Sequence, residues 1–93
     1  HQLHMVWGMV KDKDVTRILT LLPKDARYYF CQAQIPRAMD AFELYEKAKK
    51  IGLIGKVIPD VNEALETAKQ FASSNDLIFI GGSTFVVAEI ETL

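Results

Sequence analysis

The sequence lacks the features that define several protein classes. Cys31 is its only cysteine among 93 residues, so no disulfide can form within the chain. The formal net charge of −1 provides no basic excess for nucleic acid, and no polybasic block suits an anionic membrane. No apolar run approaches the roughly 18 residues of a membrane span, and no signal peptide opens the chain. We therefore expect a cytoplasmic protein that binds neither nucleic acid nor membrane.

Histidine is also scarce, and His1 and His4 lack the partner ligands of a metal cluster, so no metal site is predicted. The chain does contain 49% hydrophobic and 25% charged residues, which is enough for one small domain over residues 1–93. Its first apolar run, Leu3 to Val10, begins almost immediately. A domain seldom begins on its own central strand, so we expect that this one is excised from a longer enzyme.

Apolar runs alternate with helical patterns four times along the chain. Each predicted strand is followed by a segment whose apolar residues recur at helical spacing. This alternation predicts an α/β fold, a three-layer Rossmann-like domain with a mostly parallel four-stranded sheet and helices on both faces. The most economical strand order is 3-2-1-4, with the first two helices on one face and the last two on the other. The predicted strands are Leu3 to Val10, Tyr28 to Cys31, Lys56 to Ile58 and a buried strand from Leu77 to Ile80.

The predicted strand order brings two unusual loops together. The chain reverses direction between the first and last strands, and open α/β sheets bind ligands beyond the carboxyl ends of the strands at that point. The loops expected there are residues 8–14 and residues 81–84. Gly82 permits a tight turn, and Ser83 and Thr84 offer hydroxyl groups and a helix start to an anion. Spacing alone favours a plainer interpretation, in which Ser83 only caps the last helix.

Charged residues near the same edge also have two interpretations. Lys13 can meet a phosphate or carboxylate, and Asp12 and Asp14 can meet Mg²⁺ through water. A solvated helix start is the commoner use of such acids, and residue types alone favour it. Arg37, in the loop after the second strand, suits a carboxylate or phosphate as well as it suits a solvated loop.

Separated segments of the chain resemble one family in order and spacing. They are GMVKDKDVTRILTLLPKDARYYFCQAQIPRAM, PDVNEALETA and DLIFIGGSTFVVAEI. These segments are similar to the C-terminal domain of folylpolyglutamate synthases, in the Mur ligase superfamily. In that family a strand leads to a Gly-x-x-x-Asp-Lys-Asp segment, here Gly8 and residues 12–14. The next strand ends near a Pro-Arg, here Pro36-Arg37, and a Gly-Ser follows the final strand, here Gly82-Ser83.

The resemblance implies an ATP-dependent ligase that activates a carboxylate as an acyl phosphate and adds L-glutamate to folate. It implies that ATP and Mg²⁺ lie between a central domain and this one. The positions implied to face that cleft are Lys13, Asp12, Asp14, Arg37, Gly82, Thr84 and Ser83, the last matching a serine associated with glutamate binding.

The family's Gly-Lys-Gly-Ser phosphate loop and Mg²⁺-holding residues are absent from this sequence. The resemblance therefore implies no catalytic residue here, and it makes the missing N-terminal and central ATPase domain of the same polypeptide the partner. The chain alone is expected to be inactive, and whether the parent is also a dihydrofolate synthase stays open. The alternative from another class is a stand-alone α/β nucleotide- or anion-binding module without ligase activity.

Overall fold

The computed structural model describes residues 1–91, in which four strands alternate with four helices. This confirms the predicted alternation. No helix among these residues is long and apolar enough to cross a membrane. The elements are β1 (Leu3–Trp7), α1 (Val15–Thr20), β2 (Arg27–Gln32), α2 (Ala41–Lys50), β3 (Ile54–Asp60), α3 (Val61–Phe71), β4 (Leu77–Gly81) and α4 (Thr84–Ala88).

All strand pairs are parallel and the order is β3-β2-β1-β4, which confirms the predicted 3-2-1-4 sheet. Side chains alternate between the faces of a strand, so each strand contributes to two cores. Met5 and Phe30 pack with α1 and α2 on one face. Val6 and Cys31 pack with α3 and α4 on the other. Burial raises the pKa of the Cys31 thiol to about 12, so this residue is a neutral part of the core.

Aspartate side chains begin the first three helices. Asp14 caps α1 by accepting a hydrogen bond from Arg17 N, and Asp40 and Asp60 cap α2 and α3. Each of these two carboxylates accepts a hydrogen bond from the backbone nitrogen of the residue three positions later, at 3.1 Å in α2 and 2.9 Å in α3. The Asp-x-x-Glu spacing at the starts of α2 and α3 predicts these two caps from the sequence, and the structure confirms them. Each cap satisfies a backbone donor that the helix leaves free.

The structure differs from the sequence prediction at the edge of the sheet. The run from Leu77 to Ile80 was expected to be a buried strand, but Leu77 is 72% and Phe79 is 51% exposed. The strand β4 lies at the end of the sheet order, and α1 and α2 cover the other strands. An apolar run alone does not distinguish a central strand from an edge strand. Phe71 continues the helical spacing of the apolar residues of α3, which predicts burial, but it is also exposed, at 57%.

Candidate functional site

The two loops that the strand order predicts to be neighbours lie side by side at the carboxyl edge of the sheet. Gly8 N donates a hydrogen bond to the carbonyl oxygen of Gly81, with 3.4 Å between the two atoms. Gly82 follows with a φ of +93°, and a Cβ added there would overlap the carbonyl oxygen of Gly8. The turn after β4 therefore needs glycine both for its backbone conformation and for its close approach to the loop after β1.

Gly8 sets the position of α4 in the same region. A Cβ at Gly8 would lie 2.7 Å from the carbonyl oxygen of Cys31 and 2.8 Å from Cγ2 of Val86. Val86 is the buried residue of α4 and is 1% exposed. Because these distances are too short for a side chain at position 8, a glycine there lets α4 pack directly on the ends of β1 and β2.

Ser83 is half-buried and caps α4. Its Oγ accepts a hydrogen bond from Phe85 N at 3.1 Å, as the spacing favoured. A hydroxyl that accepts one hydrogen bond still has its own hydrogen to donate, so the cap does not exclude a ligand contact. Gly82 and Thr84, on either side, are exposed. With only five residues in α4, the helix dipole adds little to the attraction of an anion.

Arg37 connects the loop after β2 to the loop after β1. Its Nη2 donates to Asp12 Oδ2 at 2.6 Å, and its carbonyl oxygen accepts from Lys11 N at 2.8 Å. The guanidinium also lies over the ring of Phe85 on α4, with Cζ 5.9 Å from the ring centroid. The hydrogen bond from Arg37 holds the pKa of Asp12 below its usual value, so this carboxylate is charged at neutral pH.

Both acids of the loop after β1 already have protein partners. Asp12 pairs with Arg37, and Asp14 caps α1. No three His, Cys, Asp or Glu side chains in the part of the chain that the structure describes are grouped so as to hold a metal ion. Lys13, between the two acids, is exposed. The loop therefore presents a cation to solvent and uses its carboxylates for structure, and the acids form no ready Mg²⁺ site.

A cavity of about 450 Å³ at the same edge was not expected from the sequence. It lies at the carboxyl ends of β2 and β3, between residues 32–36 and Pro59-Asp60. Gln34 N on its rim donates to the Glu89 carboxylate, which joins the loop to the segment after α4. Pro36 and Pro59 lie on the two sides of the cavity, and they are its only signal in the sequence. Prolines mark two loops but do not show that those loops lie close together in space. Phe85, which the Arg37 side chain covers, was also missed.

Known proteins resemble this chain in both sequence and fold. A family model described as Mur ligase, glutamate ligase domain, matches residues 1–84. The probable bifunctional folylpolyglutamate synthase/dihydropteroate synthase of Haloferax volcanii is 33% identical over 91 residues, or 97% of this chain and 11% of the relative. The structure of E. coli FolC in complex with DHPP and ADP has a TM-score of 0.84 and 28% identity, and the match covers 95% of this chain and 20% of that one.

A second solved structure is the bifunctional folylpolyglutamate synthase/dihydrofolate synthase of Yersinia pestis, complexed with AMPPNP and Mn ion. Its TM-score is 0.78 at 26% identity, over 94% of this chain and 20% of that chain. The present chain thus spans between 11% and 20% of the length of these relatives. The likeness covers nearly all of the α/β domain described above.

Proposed function

The chain belongs to the Mur ligase, glutamate ligase domain family, and from this we propose that it is the C-terminal domain of an ATP-dependent folylpolyglutamate synthase. In this proposal residues 1–93 are one domain of a longer polypeptide that adds L-glutamate to a folate through an acyl phosphate. The observation that carries it is the family match over residues 1–84, together with two loops meeting at the edge where open α/β sheets bind ligands. The related structures in complex with ADP and with AMPPNP support the use of ATP in this proposal.

The carboxyl edge offers groups that suit an anionic substrate. Arg37 is held by Asp12 and retains further guanidinium donors for a phosphate or carboxylate, and Lys13 adds an exposed positive charge. The free hydroxyl hydrogen of Ser83 suits the carboxylate of glutamate, with Gly82 and Thr84 shaping the turn around it. Asp14 is structural in this proposal, because its side chain caps α1.

The partner in this proposal is the central ATPase domain of the same polypeptide, which faces the carboxyl edge and closes the cleft. When bound there, ATP and Mg²⁺ supply the phosphoryl group and its charge compensation. The acids on this edge already have partners, so we place the metal ligands on the other domain. The chain alone supplies one side of a cleft and is inactive.

The test measures glutamate-dependent ADP release by the full-length polypeptide with a folate substrate. Ser83→Ala is expected to raise KM for glutamate or lower kcat, while lowering the unfolding free energy by at most about the 1 kcal/mol of a lost cap. Ser74→Ala is the matched control, because Ser74 is an exposed serine at the opposite edge of the sheet. A Ser83→Ala enzyme with a lower melting temperature and normal kinetics would show that the serine is only a cap.

Two further outcomes address the activity itself. Robust turnover by residues 1–93 alone would contradict the proposal that the domain is inactive by itself. A full-length polypeptide without a phosphate-binding loop upstream of this domain would contradict the ligase proposal. Micromolar nucleotide binding by the chain alone, measured by calorimetry, would instead favour a stand-alone binding module.

A further inference from the structure

A second cavity lies at the opposite edge of the sheet, where the strands begin, and its volume is about 400 Å³. It opens on the face of the sheet that α3 and α4 cover, below the last turn of α3. None of the residues proposed for the ligase cleft lines it. Its lining consists of Gln2, His4, Arg27, Tyr28, Tyr29, Ile54, Gly55, Lys56, Phe71 and Asp76.

A hydrogen-bonded chain of three side chains, two of them buried, lies along one side of this cavity. Nε2 of His4 lies 2.9 Å from Oδ2 of Asp76, and Nδ1 of His4 lies 2.8 Å from the hydroxyl of Tyr29. His4 and Tyr29 are each 3% exposed. Asp76 also accepts hydrogen bonds from Gln2 N and Ser73 N, at 2.9 and 3.0 Å. Asp76 keeps its negative charge in the lining, but within residues 1–91 it forms no ion pair with the cations nearby.

Those cations are Arg27 on β2 and Lys56 on β3. Arg27 pairs in register with Ile54, and Tyr29 pairs with Lys56, so the two cations lie on the same face of neighbouring strands. They are offset by two residues, or about 7 Å along the strand. Neither side chain belongs to an ion pair within residues 1–91. Both side chains are exposed, and the lining contains these two cations against the single carboxylate of Asp76, which leaves positive charge available to a bound anion.

Apolar groups flank the two cations. Phe71 is 57% and Ile54 is 62% exposed, although both are large apolar side chains. The Lys56 ammonium lies 4.0 Å from the centre of the Phe71 ring, which holds the charge at the mouth of the cavity. A ligand that covered both apolar side chains would remove their surface from water, which favours binding.

We propose that this cavity binds a small anion carried on a flat, apolar body, with its carboxylate or phosphate group on Arg27 and Lys56 and its ring against Phe71 and Ile54. A volume of about 400 Å³ is in the usual range for small-molecule sites. The site lies across the sheet from the proposed ligase cleft and does not depend on that function.

The test follows backbone amide shifts of the ¹⁵N-labelled chain by NMR while benzoate or phenyl phosphate is added. Saturable shifts at Arg27, Gly55, Lys56 and Asp76, without matching shifts at Ser83, are expected for at least one probe. The tighter of the two identifies the anionic group. Inorganic phosphate, which lacks the ring, and benzyl alcohol, which lacks the charge, should each bind at least about tenfold more weakly.

Substitutions then separate a built site from general attraction to the surface. Arg27→Gln and Lys56→Gln are each expected to lower the affinity at least about tenfold, because each removes a charge-assisted hydrogen bond. Arg17→Gln and Lys50→Gln are matched controls on exposed helix positions of the other face and should leave the affinity unchanged. Phe71→Ala should remove the preference for benzoate over inorganic phosphate, while the spectra of all variants report whether they fold.

Three results would overturn the proposal. One is the absence of saturable shifts with both aromatic probes. Another is saturable binding that Arg27→Gln and Lys56→Gln leave unchanged in folded protein. The third is a set of shifts centred on Arg37 and Ser83, which would place the anion in the ligase cleft.

Discussion

At the scale of single residues, Gly52 and Gly82 have nearly the same positive φ angle in different surroundings. Their φ angles are +91° and +93°. Gly52 ends α2 and has open space where a side chain would begin, whereas the same position at Gly82 is filled by the carbonyl oxygen of Gly8. The first glycine is required by conformation alone, and the second by conformation and by the contact between the two loops.

Alanine substitution should separate these two requirements. Gly52→Ala is expected to lower the free energy of unfolding by about 1 kcal/mol, the cost of a left-handed backbone for a residue with a Cβ. Gly82→Ala should cost more, about 2–4 kcal/mol, because the loop after β1 must also move. Urea unfolding of both variants measures the difference. Equal losses would show that the contact between the loops adds nothing to stability.

At the scale of elements, the helices begin where aspartate side chains accept backbone hydrogen bonds. Asp40 is the simplest case, because its side chain is exposed at the start of a ten-residue helix and lies outside both cavities. Burial of Leu44 and Ala48 then fixes α2 on the sheet. The buried apolar residues determine which face of α2 packs on the sheet, and the aspartate cap determines where the helix starts.

We expect Asp40→Ala to lower the free energy of unfolding by about 1 kcal/mol, because Glu43 N loses its acceptor. Asp40→Asn is the matched control and should retain most of that stability, since its side-chain oxygen also accepts the hydrogen bond. Chemical denaturation measures both. A loss in the Asn variant as large as in the Ala variant would indicate that the negative charge, rather than the hydrogen bond, supports the helix.

At the scale of the whole molecule, Asp76 joins the beginning of the chain to the beginning of its last strand. It accepts hydrogen bonds from Gln2 N, His4 and Ser73 N, and the first two partners lie more than 70 residues away in sequence. The backbone hydrogen bond from Gln2, followed by the His4 side chain, lowers the pKa of Asp76 well below its usual value. A charged carboxylate therefore links the segments that precede and begin the paired strands β1 and β4.

This lowered pKa predicts the pH dependence of stability. Because the folded-state pKa lies below the unfolded one, Asp76 stabilises the fold fully above about pH 4 and less as the pH falls further. Asp76→Asn should be less stable than the wild type at pH 7, and the difference should shrink below pH 4. Thermal unfolding from pH 2.5 to 7 measures it, with Asp25→Asn, an exposed position, as the control. A difference that is constant with pH would contradict the role of the charge.

The architecture could be predicted from local signals because each signal acts over a few residues. Alternating apolar runs, the aspartates before α2 and α3, and Gly52 after α2 all agree with the structure. The sheet order followed from these elements and from the handedness of parallel crossovers. Gly82 and Ser83 could be placed at the carboxyl edge of the sheet for the same reason, and their contact with a ligand stays a prediction.

Local signals failed where burial or contact depends on neighbours distant in sequence. Leu77 and Phe79 look like a central strand, but β4 has a strand on one side only. Asp12 looks like a metal ligand or helix start, but its partner is Arg37, which lies 25 positions further along the chain. His4 gave no signal of its own, since the residues that orient it come from β2 and the turn before β4.

The sequence by itself determined the α/β class, the helix starts, the strand order and the family, because these depend on spacing and on residue types within short segments. Only the tertiary structure decided which charges are paired and which are free. Asp12 and Asp76 have charged or hydrogen-bonding partners, whereas Arg27 and Lys56 lie on neighbouring strands without an ion pair among residues 1–91, and no spacing along the chain encodes that arrangement. The physical reason is that hydrogen bonds and ion pairs act over a few ångströms in space, and the register of parallel strands sets those distances.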